Sequence, residues 1–399
     1  MEAAANEVIQ GPSSSVRKKY RPRAGSILKK KESGSKNPKH LPGILVERKI
    51  SQEEIDERSK YIEDLKKSRS NTSLNWKTQA FRKVRLPDKL FGLYCAKFSP
   101  NGDTIATTHG SGCIQLRNGE TSELRATVRS GLETSLPVTY CCFHPINKEI
   151  LYASSSCGSL FMCRLDEIQF WKFAYELDNE INTIDVNASG EHVISGGKDA
   201  TLRIYDSETA KLIKQYRKDK MDLITEDSEK FHHARIFAAK FHKTNSRIIV
   251  SGGWDDSIKI WDTRVADGSI RNIVGPHICG DAVDLQDMTI LTGSWIVKDS
   301  LQLWDLPSGK LIETIDPVNR PANMAGEYLY SVRYFDGDPF KEHVVVGGSG
   351  TGNVEIINLK EKQVVANFPA NKAVITIDSF RSNIAFGGMD PSITLAEYS

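Results

Sequence analysis

The stretch "SGGWDDSIKIWD", Ser251 to Asp262, packs three aspartates and two tryptophans into twelve residues. Carboxylates at that density suit a metal site or an acid/base pair, unless the stretch is one copy of a repeated structural device. Degenerate copies argue for the device: "SGGKDATLRIYD" begins at Ser195, "TGSWIVKDSLQLWD" at Thr292, "GGSGTGNVEIIN" at Gly347 and "FGGMDPSITLAE" at Phe386. Two weaker copies are "TTHGSGCIQLRN" from Thr107 and "ASSSCGSLFMCRL" from Ala153, which makes seven in all.

The residues at the Trp261 position are Arg117, Cys163, Tyr205, Trp261, Trp304, Ile357 and Ala396. They recur at roughly 40 to 55 residues, the period of propeller blades. Each copy follows a short apolar run such as "LYCAKF", "IFAAKF" or "VITIDSF", and turn signals such as "SPNGD" and "NASGE" separate the runs. Short strands with regular turn punctuation predict an all-β architecture. The last copy ends at Ser399 after its third strand, so the outermost strand of that unit is expected from "QAFRKVRL", Gln79 to Leu86. The pattern thus predicts a single seven-bladed β-propeller over 78–399, closed by an N-terminal strand, with no sheet edge left open around the ring.

Seven units ending in Trp-Asp or its eroded forms resemble the WD40 repeat family over about residues 78–399. The resemblance implies a buried hydrogen-bonded tetrad in a well-formed blade, carried in the fourth by His232, Ser251, Asp255 and Trp261. It is expected to be structural, since a buried indole N–H and imidazole need partners and a carboxylate pinned by them locks the turn. The fifth blade offers His277, Thr292 and Trp304 for the same lock, with Asp299 displaced by two extra turn residues. The third offers Ser195, Asp199 and Tyr205 without an evident histidine.

An enzyme is not expected. Side chains alternate along a strand, so Asp262 lies a strand length from Asp255 and shares no site with it. "GPHICGD" (His277, Cys279, Asp281) lacks the second ligand cluster of a zinc site, so neither metal nor cofactor is expected. The residue just before each turn aspartate is expected to point off the rim; it is Lys198 in the third blade, Trp254 in the fourth, Trp295 in the fifth and Met389 in the seventh. Trp and Met are enriched in interface cores, so the rim is read as a surface for other proteins.

Residues 1–50 hold twelve Lys/Arg and four Asp/Glu, a net of +8, which leaves −6 for the remainder of a chain of net +2. Few aromatics and many Ser, Gly and Pro predict a disordered basic tail. Residues 51–70 predict a helix of about five turns, with Ser51 and Glu54 in capping-box spacing. The tail has two functional readings. It would attract nucleic acid, acidic cytoskeletal tails or another acidic polymer. Its "SILK", Ser26, Ile27, Leu28 and Lys29, matches a docking motif of type 1 protein phosphatase regulators, which would make the chain a targeting subunit.

Seven cysteines without CxxC spacing suit reduced thiols. Together with the lack of an apolar run of membrane length or a secretory start, they predict a soluble cytoplasmic or nuclear protein, monomeric on its own. A non-catalytic scaffold is the leading expectation from these features.

Overall fold

The computed structural model describes residues 81–218, 229–320 and 326–398. The tail with its SILK stretch, the 51–70 segment and the middles of the two long inter-blade connections lie outside the described residues.

Within the described residues the chain forms seven four-stranded antiparallel sheets. Blades one to six occupy 93–129, 138–175, 181–216, 236–274, 283–314 and 329–369. Each runs from an inner strand outward in sequence order. The seventh takes its inner three strands from 374–397 and its outermost from Arg82–Arg85, next to Ser392–Glu397. Val84 faces Ile393 in that pairing, and Arg82 faces Leu395. The Leu86 amide then bonds the Pro391 carbonyl at 2.8 Å and the Leu86 side chain is buried. The ring is closed by the segment the repeat count demanded.

The fourth blade shows why these residues make these strands. Its second and third strands, "IIVSGG" and "SIKIWD", are buried along almost their whole length because neighbouring blades cover both faces. A continuous β-branched run, rather than strict alternation, suits such a strand. Its outer strand "RNIV" is half exposed. Between blades three and four, Ile194, Ile204, Tyr216, Phe241, Ile249 and Trp261 form one apolar cluster, and the Tyr216 and Trp261 rings lie 4.8 Å apart.

The recurring Gly-Gly has a steric cause. A Cβ at Gly253 would sit 2.2 Å from the Arg235 carbonyl oxygen, where the chain enters the inner strand of the same blade. That carbonyl accepts the Trp254 amide at 3.0 Å. Close backbone approach of this kind leaves room only for hydrogen.

Candidate functional site

In the fourth blade the Trp261 indole donates to the Ser251 hydroxyl at 2.8 Å, and that hydroxyl meets His232 Nε2 at 2.7 Å. His232 Nδ1 lies 2.7 Å from the Asp255 carboxylate. Burial holds the imidazole below the ordinary histidine value. It is therefore neutral, donating through Nδ1 and accepting through Nε2. Asp262, at the far end of the strand, pairs instead with Arg264.

Other blades solve the same problem with different chemistry. In the third, Glu176 stands where a histidine was missing: the Tyr205 hydroxyl donates to it at 3.0 Å, Ser195 also bonds it, and Arg203 bridges Glu176 to Asp199. In the fifth, the Trp304 indole bonds the Thr292 hydroxyl at 3.0 Å, but the remainder differs from the expectation. Asp299 is exposed, and Glu327 receives the Ser300 amide at 2.8 Å. His277 turns to Asp256, 2.5 Å away in the fourth blade's turn. The reason lies in the spacing: the Arg235 carbonyl accepts the Trp254 amide and the His277 carbonyl accepts the Trp295 amide, so His277 stands at the place of Arg235, three residues beyond that of His232.

Three of the four rim residues, Lys198, Trp254 and Trp295, connect to side chains at one end of the central channel. Trp254 is 49% exposed; its indole N–H points to the Cys279 sulfur at 3.1 Å and its ring lies 5.1 Å from Phe237. Trp295 is 38% exposed and stacks against Tyr328 at 5.1 Å and Tyr330 at 6.2 Å. Phe237, Cys279 and Tyr330, with Tyr94 and Ile375, wall a cavity of about 200 Å³ at the channel mouth. The two indoles are thus joined through its walls. Lys198 pairs with Glu180 at 2.7 Å, and Glu180 also holds Arg235, whose guanidinium lies 5.7 Å from the Trp254 ring centre. Met389 is exposed in the seventh blade's turn and makes no described contact with the indoles.

Below the mouth the channel is blocked by charge. The segment leading into the fifth blade's inner strand carries two extra residues after Cys279, Gly280 and Asp281, and they place the Asp281 carboxylate among the cations of the neighbouring inner strands. Its carboxylate meets Lys97 at 2.8 Å and Lys240 at 3.1 Å, pairs with Arg333, and accepts the Tyr140 hydroxyl at 2.7 Å. Burial alone would raise its pKa, but Arg333, Lys240 and Lys97 hold it well below the usual carboxylate range. His277, Cys279 and Asp281 therefore point in three directions and form no ligand cluster; among the described residues no group of three His, Cys, Asp or Glu is placed to hold a metal.

At the opposite mouth each inner strand contributes one side chain in blade order: Lys97, Cys142, Asp185, Lys240, Asp284, Arg333 and Asp378, around a cavity of about 370 Å³. The charges alternate except at Cys142, whose thiol is pushed far above its usual range by burial and by Asp185. Each carboxylate also staples its blade to the next. Asp378 accepts the Phe98 amide at 2.8 Å, Asp185 that of Phe241 at 2.8 Å, and Asp284 that of Tyr334 at 2.9 Å.

Residues 138–238 match the family described as "Anaphase-promoting complex subunit 4 WD40 domain", and residues 228–262 match "WD domain, G-beta repeat". With seven blades on the page, these matches decide the family. The chain belongs to the WD40 repeat family. Similar proteins include a guanine nucleotide-binding protein subunit beta-like protein of Encephalitozoon cuniculi, 28% identical over 29% of this chain and 46% of that one. The methylosome protein WDR77 of Xenopus laevis is 26% identical over 39% of this chain and 44% of its own. A WD repeat-containing protein 55 homolog of Drosophila virilis is 23% identical over 50% of this chain and 37% of its own. The alignments span less than half the length of each of these relatives.

Sequence reasoning missed the channel residues of this WD40 propeller, although aligning the seven inner strands would have shown Lys or Arg and Asp at one position. It also missed His109. That histidine lies buried with Nδ1 3.0 Å from the Gly92 carbonyl and Nε2 3.1 Å from the Thr107 hydroxyl, and burial lowers its pKa from 6.5 to about 4. The unfolded chain binds this proton first as the pH falls, so the stabilisation is complete above pH 6.5 and is lost on acidification toward pH 4. At roughly 1.4 kcal/mol per unit, His109 makes the WD40 ring about 3 kcal/mol less stable across that window. Urea melts at pH 7 and pH 4.5 check this; a His109→Asn chain should show a shallower pH dependence than the wild type.

Proposed function

We propose that this WD40 propeller is a non-catalytic interaction scaffold that binds an extended segment of a partner protein across the channel mouth, between Trp254 and Trp295. The observation that carries the reading is the pair of half-exposed indoles joined through an aromatic-walled cavity. Exposed tryptophan around a concave centre is the composition of an interface hot spot. The names of similar proteins, a methylosome protein and a ribosome biogenesis protein homolog, are those of WD proteins in assemblies. Lys198 and Met389 extend the same rim.

A second surface is the basic 1–50 segment, whose +8 opposes the −6 of the remainder. It suits acidic partners, and its SILK stretch suits a phosphatase.

The test is quantitative affinity capture with the wild type, a Trp254→Ala/Trp295→Ala chain and a chain lacking residues 1–50. The rim variant should lose at least tenfold of its specific partners while retaining the wild-type melting temperature. Recovery of the same partners at the same level by all three chains removes both surfaces.

A further inference from the structure

Resting on that reading, we propose that the mouth is an anchor pocket for one bulky uncharged side chain of the partner segment, aromatic or branched aliphatic, and that it rejects Arg and Lys. The occupant follows from charge and from the state of the polar groups around the cavity.

Charge comes first. Asp281 is the carboxylate at the floor: Lys97, Arg333 and Tyr140 all bond its Oδ2, while its Oδ1 lies 3.1 Å from the Lys240 ammonium and accepts no hydrogen bond. Tyr140 lies between that cluster and the mouth, with the Lys97 and Lys240 ammonium groups 5.2 and 5.0 Å from its ring centre. Asp281 is the one charged residue in the cavity wall, and a cation entering from above meets a carboxylate already paired with three cations, Lys97, Lys240 and Arg333, on its far side. The aromatic face that would attract it is already occupied on the floor.

The walls repeat the point. The Thr139 hydroxyl donates to the Ser154 carbonyl at 3.1 Å. Asn182 donates to the Ile236 carbonyl at 2.9 Å and accepts from Arg235 at 3.4 Å. The Thr376 hydroxyl accepts the Ala96 amide at 3.0 Å, and the Cys279 sulfur accepts the Trp254 indole. Side chains already engaged in this way return little to a charged or strongly polar guest for the water it sheds. An acidic guest meets the same cost, and the cations below are shared among Asp281, Asp284 and Asp378. Tyr94, Phe237, Tyr330 and Ile375 present apolar surface instead. A cavity of about 200 Å³ is the right size, since an apolar cavity of about 150 Å³ accepts a benzene-sized guest.

Random decapeptides displayed on phage, selected on the full chain, test this directly. The expected binders share one Phe, Tyr, Trp, Leu or Ile. Changing that residue to Arg weakens binding at least tenfold, and an Ile375→Trp chain, which fills the mouth from the wall away from both indoles, loses binding to the same extent. A Phe237→Ala chain with an unchanged melting temperature provides a second check and should lose affinity similarly. Binders that share an Arg or Lys at that position overturn the proposal. So do binders that keep full affinity for both mouth variants; if those still require Trp254 and Trp295, the anchor falls while the scaffold reading stands. Binders indifferent to the two indoles as well, or a library that yields none, overturn both.

Discussion

Replacing Asp281 with Asn is expected to destabilise the propeller by about 3–5 kcal/mol, the cost of leaving buried charges without their partner. The amide keeps the volume but leaves Lys97, Lys240 and Arg333 facing one another around Tyr140. Urea denaturation at pH 7 measures the loss, and removing one cation as well, in Asp281→Asn/Lys240→Met, should restore part of it. The folded Asp281 pKa is depressed, so its contribution is complete above the ordinary aspartate value of about 4 and disappears as the pH falls through the lower folded value. Wild type and Asp281→Asn should therefore converge in strongly acidic solution. A loss of less than about 1 kcal/mol at pH 7, the scale of an exposed pair, would show that the axis is hydrated and that the channel is open.

The second large effect concerns closure. A chain begun at residue 79 should melt cooperatively at the temperature of the full chain, whereas one begun at residue 87 should lose cooperative unfolding or aggregate. The shorter chain lacks the strand that covers Ser392–Glu397, and an unpaired edge in a twisted sheet invites association with other chains. It also lacks Leu86, which packs with Leu90, Leu93 and Ile393; burial of a leucine alone is worth about 1.5–3 kcal/mol. Calorimetry and light scattering of the two chains read the outcome. Equal melting of both would mean that blade seven is stable with three strands.

The architecture was legible because its signals are local and repeated. The Gly-Gly before the turn in the third, fourth, sixth and seventh blades reports close backbone approach, as at Gly253, where a carbonyl lies 2.2 Å from where a Cβ would be, and the position-261 series reports the third strand. The locks were legible only where the usual residues stand at the usual distance. Glu176 was invisible as a histidine substitute because it comes from an earlier loop and acts through Ser195, Tyr205 and Arg203 together. His277 misled because residue type was matched without its offset from the inner strand. Asp281 was hardest to read. Its partners lie 184, 141, 41 and 52 residues away in sequence, at Lys97, Tyr140, Lys240 and Arg333, and only the closed ring brings them to one point.

The seven side chains at the lower mouth carry a constraint of parity. Signs can alternate without conflict around a ring with an even number of members, but around seven they must fail once. Here the failure falls on a neutral thiol, with Lys97 on one side of Cys142 and Asp185 on the other. That seam makes the blades non-interchangeable despite their common shape. Deleting any neighbouring pair among the third to seventh members keeps the alternation, whereas deleting any one charged member sets like signs side by side or on both sides of the thiol. The channel thus counts its own blades, and a descendant of this chain that gained or lost a single one would have to move or abolish its neutral position.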